Sequence, residues 1–144
     1  MSTAPAVDER EHSAALIAAI SAALTAIRSD LGEYVYDFGS VPGQDQNEGT
    51  VPDLFVALQI ERRFVTNPRM VSIPSRSGWR VSTICVARTV NNTRLAVLAV
   101  ANALDGQRLT VGGITSTPIY LETPSPIIPD DGMFSTQPTW AYSC

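Results

Sequence analysis

The stretch from Gly78 to Val90 constrains this chain most, because its apolar residues occur at both odd and even positions. In an extended strand Trp79, Val81, Thr83, Cys85 and Ala87 fall on one face, and Arg80, Ser82, Ile84, Val86 and Arg88 on the other. A strand that is charged near its ends and apolar on both faces in its middle belongs near the centre of a sheet and needs cover on both sides. The rest of the chain has to supply its neighbours and that cover.

Two segments carry helical periodicity. Ile17, Ile20, Leu24, Ile27 and Leu31 recur at spacings of three and four, which places them on one stripe. Asp8 followed by Glu11 resembles a capping box and Gly32 is a suitable stop, so a helix is expected over residues 8–30. Asn91-Asn92-Thr93 supplies an N-cap for a second, nearly all-apolar helix over residues 92–105, ending at Asp105-Gly106. His12, near the start of the first helix, reads as a solvated surface residue.

The remaining apolar runs are short and rich in aromatic or β-branched residues, which favours strands at 33–38, 53–61, 108–111, 117–122 and 134–142. Gly112-Gly113 suggests that the third and fourth of these form a hairpin, and Pro138 puts the last at a sheet edge. Loops are expected at 39–50, at 62–77 and at the proline-rich 123–133, where Asp130-Asp131-Gly132 has the composition of a turn. The order is therefore one helix, three strands, a second helix and three strands. Two helices cannot cover both faces of such a sheet. The expected fold is a single α+β domain over 1–144, with a mixed or antiparallel β-sheet and both helices packed mainly on one face. The other face must be covered by a loop or a partner.

Composition excludes much chemistry. All ten basic residues are arginine and there is one histidine, so a lysine Schiff base, a P-loop lysine and a two-histidine metal site are ruled out. No Gly-x-Ser-x-Gly elbow presents a serine nucleophile, and no spaced set of acids forms a calcium loop. Cys85 and Cys144 do not make a disulfide framework; Cys85 reads as a small core residue, and a reducing compartment is the simpler expectation. The N-terminal MSTAPAVDEREH is acidic where a secretory signal is basic, and the apolar run 14–27 is too short to span a bilayer. No catalytic residue, cofactor or metal is expected, and no membrane partner.

The net charge of −4 hides a segregation: −7 over residues 1–60, +6 over 61–108 and −3 over 109–144. Five arginines, Arg62, Arg63, Arg69, Arg76 and Arg80, lie within 19 residues. Arginine pairs with carboxylates bidentately and is favoured at interfaces. A nucleic-acid patch is the rival reading, with Phe64 and Trp79 available for stacking, but the acidic balance of the whole chain opposes it. The expectation is that these arginines meet acids of the N-terminal third, Asp37, Asp45, Glu48 and Asp53, on another copy of the chain.

The order of elements, together with Tyr34-Val35-Tyr36-Asp37, the strand-forming 51–60, Gly78-Trp79-Arg80-Val81, Ala87-Arg88, Ala103-Leu104-Asp105-Gly106, Pro118-Ile119, Asp130-Asp131-Gly132 and Thr139-Trp140, resembles the tail terminator proteins of long-tailed bacteriophages. This group includes the lambda tail terminator, and the resemblance is to members from phages of high-GC actinobacteria. It implies a virion protein assembled in the host cytoplasm. Six copies would close a ring on the last ring of the tail tube, stop its polymerisation and meet the head connector, while DNA passes through without sequence-specific binding. A head-tail adaptor or minor tail protein is the alternative within that class. Outside it stands a small enzyme or ligand-binding domain whose site lies on the uncovered sheet face.

Overall fold

A computed structural model describes residues 9–63 and 78–144. Among them are two helices, a seven-stranded mixed sheet and a separate two-stranded ribbon, in the order α1 (Glu9–Ile27), β1 (Val35–Asp37), β2 (Leu54–Arg63), β3 (Gly78–Ala87), α2 (Val90–Leu104), β4 (Thr110–Val111), β5 (Ile114–Thr115), β6 (Tyr120–Thr123), β7 (Ile128–Asp130), β8 (Met133–Thr136) and β9 (Thr139–Ser143). The α+β class, with a mixed sheet and two helices, is as the sequence predicts.

β3 is central. All ten of its residues pair with β2 on one side, and on the other side it meets β9 over Gly78–Ser82 and β8 over Cys85–Ala87. β1 adds a parallel strand outside β2, while β7 and β6 flank β8 and β9 at the far edge. The last apolar run is thus two interior strands and not an edge strand. Pro138 is tolerated because it sits at the break between them, where no ladder N–H is needed. Its carbonyl accepts from the Thr83 N–H at 3.0 Å and from Thr83 Oγ1 at 2.9 Å. The same Thr83 hydroxyl accepts from Trp140 Nε1 at 3.2 Å.

The alternation read from the sequence decides which face receives the helices. Trp79, Val81, Cys85 and Ala87 of β3, Val56 and Leu58 of β2, and Trp140 and Tyr142 of β9 pack against Leu16, Ile20 and Leu24 of α1 and Ala96, Ala99 and Val100 of α2. On the opposite face Phe55, Ala57 and Val86 are covered by Val41, with Tyr36, Val51 and Met133 beside it. A loop therefore supplies the second cover. Its spine is the Asn47 amide, which donates to the carbonyls of Gly39 and Val41 at 2.8 and 3.0 Å.

Several boundaries differ from expectation. α1 ends at Ile27, short of residue 30, and Leu31 is buried from the turn that follows. Gly32 marks the close return of the chain over the helix: its carbonyl accepts from Ser21 Oγ at 2.5 Å, and a Cβ there would run into Thr25 Oγ1. Asp8, the expected cap, lies outside the described residues. α2 starts at Val90 with Thr89 as N-cap, its side chain accepting from the Asn92 N–H at 3.1 Å, so Asn91-Asn92-Thr93 forms the first turn itself. The Gly112-Gly113 turn joins β4 to β5, a ribbon of its own, and the strand after it pairs with β9 instead. Within the expected loop 123–133, Ile128–Asp130 forms β7 and pairs with β8. The turn between them is Asp131-Gly132, both at positive φ, as the composition predicted. Arg62 and Arg63 continue β2 and do not belong to an excursion, while residues 64–77 lie outside the described part. Among the described residues, no helix is long and apolar enough to cross a membrane.

Candidate functional site

The arginines selected from the sequence do not form one patch. Arg62 faces the helices, with its guanidinium carbon 5.7 Å from the centre of the Trp79 ring, within cation–π range. Arg80 faces the opposite way and bridges three strands, reaching Glu61 of β2 at 3.3 Å and Glu122 of β6 at 2.7 Å. Its hydrogen bond to Glu122 is the main cause that raises its pKa further. Arg69, Arg76 and the side chain of Arg63 lie outside the described residues.

The four acids are not gathered in one place either. Asp37 closes β1 and accepts from Ser13 Oγ at 3.2 Å and from the Phe38 N–H at 3.0 Å. Asp45, held at positive φ, and Glu48 are exposed on the loop that covers the second face. Asp53 pairs with Arg88 at 2.5 Å. Arg80 and Asp53 thus each use a partner outside the expected pairing of arginines with N-terminal acids.

His12 is a correction. It is 2% exposed, with Nδ1 2.6 Å from the Tyr142 hydroxyl and its ring stacked on Trp79 at 4.0 Å between centroids. The solvated reading followed from the polar sequence around it. In the fold, the first turn of α1 lies over β3 and β9, and the imidazole is enclosed by two aromatic rings contributed by distant strands. Burial raises the Tyr142 phenol well above its ordinary range. Burial also pushes the Cys85 thiol up to about 12, so it is a protonated core group as expected and not a nucleophile.

Two surface features escaped the sequence reading. At the β1 edge, a hollow is lined by Glu33, Tyr34, Tyr36 and Asp53 together with residues of the covering loop, and Phe38, the residue after β1, is 55% exposed. The hydrogen bond from Tyr34 to Glu33 is the main cause that raises the Tyr34 phenol. At the far edge, on the helix face, α2 and the chain following β6 enclose an apolar groove of about 300 Å³ lined by Val97, Ala101, Leu121, Ile127 and Trp140, with Arg94 at its rim. Leu121 in its lining and Leu98 on α2 are both exposed, and no ion pair within the described residues engages Arg94. A signal for this surface was available: Leu98 shares a helical face with Arg94 and Asn102, the polar side of α2.

No family model matches the chain, and no curated protein matches it in sequence. Among solved structures, a chain described as part of the virion of a native gene transfer agent (GTA) particle superposes with a TM-score of 0.71 at 16% identity, covering 97% of this chain and 98% of that one. A second solved chain, whose description names no function, superposes with a TM-score of 0.59 at 13% identity, with 94% of each chain covered. At these identities the likeness is one of fold, and it extends over practically the whole length of each chain.

Proposed function

We propose that this chain is a structural protein of a phage-like virion and, within that class, a tail terminator. Six copies close a ring at the head-proximal end of the tail tube, stop its growth and join it to the head connector. The observation that carries the reading is the end-to-end fold likeness to a chain of the GTA virion, with neither chain contributing a large unmatched domain. The interior chemistry is consistent with it. The single histidine is taken up in a buried contact with Tyr142 and Trp79, and the Cys85 thiol is held protonated in the core, so neither is presented to a substrate. A fold that presents two chemically different edges suits a subunit that meets copies of itself head to tail.

On this reading Arg63→Glu combined with Arg76→Glu is expected to weaken the ring at physiological salt. The deciding experiment is disruption of the gene in the particle that encodes it, followed by electron microscopy. Tails of uncontrolled length without heads are expected. Tails of normal length that fail to join heads would assign the chain to the adaptor class, and normal tails on normal heads would overturn the virion role in joining altogether.

A further inference from the structure

We propose that the ring contact joins the two opposite edges of the sheet: Phe38 of one copy seats in the α2 groove of the next, and Arg94 of that next copy enters the acidic, tyrosine-lined hollow of the first. This rests on the ring reading above and names the surfaces that build it.

The two patches are complementary in shape and in charge. One presents an exposed aromatic ring, Phe38, just past the end of β1, and along the same strand edge a hollow with carboxylates and two phenols. The other presents a concave apolar groove with a guanidinium at its lip. A planar guanidinium has favourable partners in the hollow: the Glu33 carboxylate, which accepts one hydrogen bond from Tyr34, and the ring faces of Tyr34 and Tyr36, while Asp53 is already paired with Arg88. An aromatic side chain is the kind of anchor that fills an apolar pocket at the centre of an interface. The placement also matters. The hollow lies by β1 and the groove by β6, at opposite edges of the sheet and on opposite faces, so one copy cannot satisfy both patches of another by a two-fold contact that uses the same surface twice. Each subunit offers a donor edge and an acceptor edge, which is the heterologous arrangement that closes into rings.

The occupant is therefore a second copy of this chain. The test uses the purified chain, with mass in solution as the readout and circular dichroism to verify folding. Phe38→Asp and Leu121→Asp alter exposed side chains on the two separate patches, so each variant should stay folded yet assemble at least tenfold more weakly. Mixed together, the two should form dimers and no larger species, since each brings one intact patch. Arg94→Glu should weaken the ring, and adding Glu33→Arg to it should restore assembly by exchanging the charges. Rings unchanged by Phe38→Asp and Leu121→Asp would overturn the assignment while leaving the ring reading intact. Rings that form normally but no longer bind tail tubes would give these surfaces to another protein and overturn it equally. A wild-type chain that forms no ring, alone or on tubes, would overturn the ring reading itself.

Discussion

His12 Nδ1 and the Tyr142 hydroxyl, 130 positions apart in sequence, meet at 2.6 Å beneath the first turn of α1, with the imidazole stacked on Trp79. This contact fastens the start of the chain to its last strand. Removing the hydroxyl leaves a buried imidazole nitrogen without that partner, a loss on the order of 1–3 kcal/mol. Tyr142→Phe is therefore expected to lower the unfolding free energy by that amount in a urea titration, with little change in m-value. His12→Ala, which also removes the stack on Trp79, should cost more. A loss under about 0.5 kcal/mol for both, the range of ordinary surface substitutions, would show that the contact does not hold the helix down.

Thr83 does two tasks with one hydroxyl. It donates to the Pro138 carbonyl and accepts from Trp140 Nε1 at the break between β8 and β9. Thr83→Val keeps the β-branched shape and deletes both bonds, stranding a buried indole N–H. The expected loss is on the order of 1–3 kcal/mol, accompanied by faster hydrogen exchange of the Trp140 indole proton. An unchanged exchange rate would count against this role.

Cys85 links stability to alkaline pH. Burial raises its thiol from 9.0 to about 12, so the unfolded chain loses the proton first while the folded chain retains it. A raised folded pKa contributes stability that is present below about pH 9 and is lost as the pH climbs toward 12. Between pH 8 and 10 this amounts to on the order of 1 kcal/mol. Cys85→Ala should be less stable at pH 7 because of the cavity it leaves, yet show a flatter decline across that window. Parallel pH curves for the two proteins would refute the coupling.

Much of the architecture was legible in the residues themselves. The parity of Trp79 to Arg88 determined that β3 is central and which of its side chains face inward, because a strand's side chains alternate whatever it packs against. The spacing of Ile17, Ile20, Leu24 and Ile27 determined α1 in the same way, and Asp131-Gly132 determined a turn because that pair accepts positive φ. These are local rules, and they survive in any fold.

What only the tertiary structure decided were relations between residues remote in sequence. His12 is polar and lies near a helix start, so its burial depended on Trp79 and Tyr142 arriving from two other strands. Pro138 opposes strand pairing by its own chemistry; only the register of β8 and β9 on β3 placed it at a break where its missing N–H costs nothing. The arginine cluster was real as a count, but strand pairing sent Arg62 onto Trp79 and Arg80 between two glutamates, on opposite faces of the sheet. The same pairing brought Phe38 and the α2 groove to opposite edges. Periodicity specifies which way a side chain points; which surface it then meets is set by contacts between elements that the chain's local order does not encode.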